Sequence, residues 1–217
     1  MKIKKIIASL ALTCLITSCA TTSSNESAEA LYQTGNQYAH GKGVAQNDVE
    51  AAHYYQLAAD AGSAKAQYAL GYMYRTGRGV PQNYETAARW FSRAAEQHNS
   101  DAQYSLGLRY LLGQGTQQSD SQALLWFKKS ADQNNVYAEN QLGYMYASGR
   151  GVTKDYATAI QWYQKAADGG LASAQYNLGM MYANGMGTNV DRAVARDYLK
   201  RAAAKGFSPA QKALASL

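Results

Sequence analysis

At 217 residues, 47% of them hydrophobic, the chain is long enough for a sizeable core, and its formal charge of +6 is modest. Lys2, Lys4 and Lys5 sit in a leader expected to be removed. From Cys19 onward 18 basic residues face 15 acidic ones, which lacks the concentrated basic stripe of a nucleic-acid binder and excludes that partner class.

The leader comes first. Lys2, Lys4 and Lys5 precede an apolar run from Ile6 to Ile16, and Thr17, Ser18 and Cys19 follow. A basic start, a short apolar stretch and small residues read as a secretory signal over 1–18, with an apolar part too short to span a bilayer. Ile16-Thr17-Ser18-Cys19 resembles the bacterial lipobox, which implies lipidation of Cys19 as the mature N-terminus. Cys14 fits less well, because Ala11 stands where that pattern has a branched apolar residue. Ordinary signal cleavage near Ala20 is the alternative. By resemblance to known lipoproteins, Ala20 in place of Asp after the cysteine implies the outer membrane. Residues 19–27 are small and polar and are expected to form a flexible tether. Cys14 and Cys19 are the two cysteines of the chain, so its body can build neither a disulfide framework nor a thiolate metal site.

Beyond the tether one unit recurs. Ala30, Ala66, Ala102, Ala138, Ala174 and Ala210 stand 36 residues apart, as do Gly35, Gly71, Gly107, Gly143 and Gly179. A fixed period of this size marks a solenoid, in which each unit buries its apolar face against its neighbours. Counted from the alanines, the repeats run over about 30–65, 66–101, 102–137, 138–173 and 174–209, with a partial unit at 210–217, and together form one elongated domain over 28–217.

Within the unit, Ala66, Leu70, Met73 and Tyr74 share one helical stripe. Gly71 costs that helix about 1 kcal/mol relative to Ala, yet every copy keeps a glycine there, so close packing is expected. Gly77-Arg78-Gly79-Val80 ends the helix with a left-handed cap, and Val80 tucks back as a plug. A second helix then starts at Asn47, Asn83, Ser119, Asp155 or Asp191, each a strong N-cap. Its inner face is Ala87, Trp90, Phe91, Ala94 and Ala95. It ends at Gly62, His98, Asn134, Gly170 or Gly206, residues that tolerate turn geometry. The unit is a helix hairpin.

The A-x-x-x-L-G-x-x-Y-x-x-G-x-G-V run, followed by A-x-x-W-F/Y-x-x-A-A, resembles the Sel1-like repeat, a relative of the tetratricopeptide repeat. The resemblance implies an all-α, right-handed α-solenoid with five repeats and a partial C-terminal capping helix. Thr34 replaces Leu in the first copy, Thr116 and Thr188 replace Val in the turn, and Ala215 replaces Gly in the last start. Atypical terminal units are expected of caps. A cysteine-rich branch of the family is β-lactamase-like, but this chain lacks that branch's repeat cysteines and any Ser-x-x-Lys.

Catalytic and cofactor signals are few. His40, His53 and His98 have no metal-ligand spacing and read as structural or solvated. The Gly-x-Gly pairs follow helices and lack Gly-Lys-Ser/Thr, and no nucleophile motif is present. The reading is therefore no cofactor, no metal and no enzyme. Tyrosine, present 18 times, is more informative. Tyr38, Tyr74, Tyr110, Tyr146 and Tyr182 hold the family's core position. Tyr32, Tyr68, Tyr104 and Tyr176 recur two residues after the opening Ala, with Asn140 breaking the series, and Tyr72, Leu108, Tyr144 and Met180 recur six after it. Positions 68, 72 and 75 lie roughly 200° around the helix from Leu70. In tetratricopeptide-like solenoids that side lines the concave surface. These nine residues, counting Arg75 as a polar anchor, are thus the expected partner-binding face.

The competing reading packs those rings between successive first helices. Exposure predicts that Tyr68→Ala with Tyr104→Ala spares the melting temperature. Arg192, Arg196 and Lys200 share one side of the last full helix, either as a solvated face or as a docking surface for an acidic partner or anionic headgroups. The functional expectation is a non-catalytic, lipid-anchored scaffold at the outer membrane, facing the periplasm and holding a protein or peptide in its groove. A peptidoglycan or glycan binder is the alternative, and a β-lactamase-like hydrolase the third reading.

Overall fold

Eleven α-helices and no strand make up residues 27–217, the part of the chain that the computed structural model describes. The signal segment, Cys19 and the tether as far as residue 26 lie outside the described residues. Ser27, placed in the tether from its composition, is the first residue of α1 (27–40). The other first helices of the repeats are α3 (Ala64–Thr76), α5 (Ser100–Leu112), α7 (Val136–Ser148) and α9 (Ala172–Asn184). The second helices are α2 (Asp48–Asp60), α4 (Tyr84–Glu96), α6 (Asp120–Ala131), α8 (Tyr156–Asp168) and α10 (Arg192–Ala204). The last element, α11 (Ser208–Ser216), begins like a further first helix and packs through Ala210 and Leu214 on the cluster around Leu199.

Local signals set these boundaries. The side chains of Asn47, Asn83, Ser119, Asp155 and Asp191 all accept backbone N–H bonds at the second-helix N-termini. Three first helices are capped too, by Ser63, Asn99 and Asn135. Those caps stand upstream of Ala66, Ala102 and Ala138, so each helix opens two residues ahead of the alanine that marks the period. The corners at His98 and Asn134 take φ of 62° and 60°, the left-handed geometry expected there.

The described residues fall into two compact units, one ending at Gln97 and holding α1–α4, the other starting at His98 and holding α5–α11. In each, the rings of the second helices lie on the glycines of the first. A Cβ at Gly71 would stand 2.8 Å from the Phe91 ring, and one at Gly143 2.6 Å from the Tyr163 ring. Close packing therefore explains the retained glycine. The expected inner face of α4 is buried throughout, and Val80 packs as a plug against the cluster around Tyr55 and Leu70.

Junctions between consecutive repeats rest on backbone approach and polar clamps. A Cβ at Gly79 would come within 2.0 Å of the Asp48 carbonyl oxygen, and one at Gly151 within 2.6 Å of the Asp120 carbonyl oxygen. The second turn glycine thus seats the turn on the preceding second helix, a role beyond easing the turn itself. Beside it Arg78 forks onto Asp48, Nε to Oδ2 at 3.1 Å and Nη2 to Oδ1 at 2.5 Å. Arg150 repeats the fork on Asp120 at 3.1 and 2.6 Å. At the last junction Met186 and Tyr156 take the same two places and pack against one apolar cluster. A buried carboxamide closes the other side: Gln67 Nε2 donates to the Ala59 carbonyl at 3.1 Å, and Gln175 Nε2 to that of Ala167 at 3.1 Å.

Candidate partner-binding face

The tyrosines two residues after the opening alanine are half-buried, each with its ring tilted against a neighbouring aromatic ring. In the first unit Tyr32 lies 5.7 Å from Tyr55 and Tyr68 5.9 Å from Phe91, centroid to centroid. In the second unit Tyr104 lies 5.9 Å from Phe127 and 5.8 Å from Tyr137. Tyr176, whose own second helix offers Leu199 instead of a ring, packs on Phe207 at 5.5 Å. These rings therefore belong partly to the core. A loss of stability, rather than an unchanged melting temperature, is the expected result of Tyr68→Ala with Tyr104→Ala.

The series six residues after the alanine divides. Tyr72 is 38% and Tyr144 43% exposed. Leu108 and Met180 pack against the clusters around Phe127 and Leu199. The polar hydroxyl end keeps a tyrosine at the surface, while Leu and Met have no group that gains from water. The Arg75 guanidinium lies 4.7 Å over the Tyr72 ring, so the expected anchor and platform are one stacked pair. At the gap in the tyrosine series, Asn177 Nδ2 donates to Asn140 Oδ1 at 3.1 Å.

The first unit carries a cleft of about 360 Å³ lined by Tyr32, Tyr68, Tyr72, Arg78, Asn36 and His40, with the buried Tyr55 and Met73 also reaching it. Tyr55 is buried, and burial pushes its hydroxyl up to about 12, with Tyr32 adding to the shift. It therefore stays neutral and donates a hydrogen bond to Asn36 Oδ1 at 2.7 Å. The hydrogen bond from Arg78 holds the Asp48 carboxyl below the ordinary carboxylate value despite partial desolvation. Asn36, His40, Tyr55 and Arg78 were not among the residues expected at a binding face. Asn36 is the first-repeat member of the series that runs through Tyr72, and it is overlooked when only aromatic and apolar members are sought. Tyr32, Asn36 and His40 stand at i, i+4 and i+8 on α1, which is the signal that unites them.

Among the described residues no group of His, Cys, Asp and Glu could hold a metal ion. No described helix is long and apolar enough to cross a membrane.

A family model described as the Sel1 repeat matches residues 28–63, 64–99, 100–135, 136–171 and 172–207, two residues ahead of the boundaries counted from the alanines. A Sel1 repeat protein from Oxalobacter formigenes is 36% identical, with a TM-score of 0.82 over 87% of this chain and 77% of that one. A protective antigen present in uropathogenic Escherichia coli strains is 38% identical, with a TM-score of 0.81 over 86% of this chain; the present chain spans 40% of that antigen's length. An immunity protein from Pseudomonas aeruginosa, 21% identical with a TM-score of 0.57 over 85% of this chain and 67% of that one, shares the fold alone. No curated protein matches.

Proposed function

The chain belongs to the Sel1 repeat family, whose members are in general non-catalytic interaction scaffolds, and from that premise we propose that it holds a protein or peptide partner over the tyrosine-bearing first helices while anchored to the outer membrane through Cys19. One observation carries the reading: Tyr72 and Tyr144 keep more than a third of their surface in solvent on first helices whose opposite side is fixed in the core. Rigid aromatic side chains on a preorganised helix lose little entropy on binding, and stacked arginine adds a polar contact, the composition of an interface hot spot. The anchor rests on the lipobox pattern, and the outer-membrane placement on Ala20 after its cysteine.

Capture from a detergent-solubilised envelope fraction tests the binding reading. The wild-type chain is expected to retain a discrete partner that Tyr72→Ala with Tyr144→Ala loses, with an unchanged melting temperature. Equal capture by both proteins would overturn it. Sedimentation with purified cell wall that depends on the same two tyrosines would favour the glycan alternative instead. Incorporation of labelled palmitate, abolished by Cys19→Ser, tests the anchor.

A further inference from the structure

Position 42 in the first repeat corresponds to Arg78 and Arg150, the two residues that grip an aspartate of the preceding second helix. Lys42 holds that place in α1's turn without an ion pair among the described residues, and a Cβ on the neighbouring Gly43 would meet nothing within 4 Å. The same cation-and-glycine pair that elsewhere receives a carboxylate-bearing segment is therefore exposed among the described residues. Lys42 lines a cleft of about 450 Å³ with Gln33, Asn36, Gln37 and His40. That cleft adjoins the tyrosine-walled one, because Asn36 and His40 line both. No carboxylate lines either cleft. Arg78 is already paired with Asp48, so the attraction rests on Lys42 and on the carboxamide and imidazole donors. Asn36 already accepts the Tyr55 hydrogen bond on its oxygen, which leaves its NH₂ available as a donor.

We propose that these joined clefts recognise an acidic peptide segment, a carboxylate seated by Lys42 and Asn36 and a neighbouring aromatic or long aliphatic side chain seated between the tyrosines. The proposal rests on the partner-binding reading above and adds the chemistry of the partner. Charge-assisted bonds supply direction and the aromatic walls supply apolar burial, so neither half of the site suffices alone.

The full-length protein in detergent, titrated with a labelled synthetic peptide of phenylalanine set among glutamates, tests this by fluorescence anisotropy. The same peptide with glutamine for every glutamate is expected to bind about tenfold more weakly or worse, the loss of a charge-assisted bond. Lys42→Gln should cause a similar loss with the acidic peptide and little change with the glutamine one. Asn36→Leu with His40→Leu, which installs the residues found at the corresponding Leu108 and Leu112, should weaken both peptides. Equal affinity for both peptides, an unaffected Lys42→Gln protein, or displacement of the peptide by a neutral chitin oligosaccharide would each overturn the proposal. Were the two peptides bound equally and both lost with Tyr72→Ala, the acidic preference would fall while peptide binding stood. Capture that survives Tyr72→Ala with Tyr144→Ala would instead remove the broader reading.

Discussion

The positions that line the tyrosine cleft of the first unit have counterparts 72 residues further along, in the second unit. Tyr72, Met73 and Arg78 recur there as Tyr144, Met145 and Arg150, but Asn36 and His40 become Leu108 and Leu112, Tyr55 becomes Phe127 and Tyr68 becomes Asn140. The repeated residues build the scaffold: Met73 and Met145 are buried, and both arginines fork onto an aspartate. The exchanged ones carry the chemistry. At Leu108 and Phe127 both the Asn36 amide and the Tyr55 hydroxyl are absent, so no buried donor is left there without its acceptor. A repeat architecture can thus vary the side chains of this face from unit to unit while the scaffold positions stay the same.

If scaffold positions are equivalent, matched substitutions in the two units should cost the same. The largest effect is expected from Leu70→Ala and Leu142→Ala, both essentially buried. Each should lose about 2–5 kcal/mol in urea denaturation. A large inequality between them would show that one unit tolerates a cavity that the other cannot.

Breaking the forks comes next. Arg78→Ala and Arg150→Ala should each cost about 1 kcal/mol, a small figure because the pairs are about a third exposed. The first-unit fork also carries a pH signature. Asp48 is held low by Arg78, so its contribution is present above about pH 4 and lost as the pH falls through its lowered folded value. Arg78→Ala should flatten that part of the acid-denaturation curve.

Glu139 offers the sharpest contrast, for it stands where the first unit has Gln67. It is 5% exposed, and burial raises its carboxyl pKa, with Lys165 partly offsetting the shift. A raised carboxyl favours the folded state below about pH 4, and this contribution is lost as the pH rises through the folded value. Glu139→Gln should therefore stabilise the protein near neutral pH by about 1 kcal/mol, and the gain should vanish in acid. Gln67→Glu should do the reverse. A gain at neutral pH that persisted below pH 4 would mean that burial of charge is not the cause.

The smallest effect is expected at Thr116, whose buried hydroxyl oxygen has no hydrogen-bond partner among the described residues. Its counterparts Val44, Val80 and Val152 are apolar. Thr116→Val should raise stability by about 1 kcal/mol or less, read as a shift in the urea midpoint.

The period, the helix hairpin, the second-helix caps and the glycine that admits a ring were all legible in the chain itself. Each depends on local backbone preference or on spacing along one helix, and those operate within a few residues. What only the folded molecule decided depends on contacts about thirty residues apart. The sequence could place Gly79 in a turn, but its seat on the Asp48 carbonyl exists only once two hairpins stack. Helical angle could turn Tyr68 and Tyr72 away from Leu70, but whether a ring on that side meets water or Phe91 is set by the neighbouring helix. The grouping of Asn36, Tyr55 and Arg78 likewise came from tertiary packing, because side chains on three different elements converge only when burial of the alanine-rich seams has fixed where those elements lie.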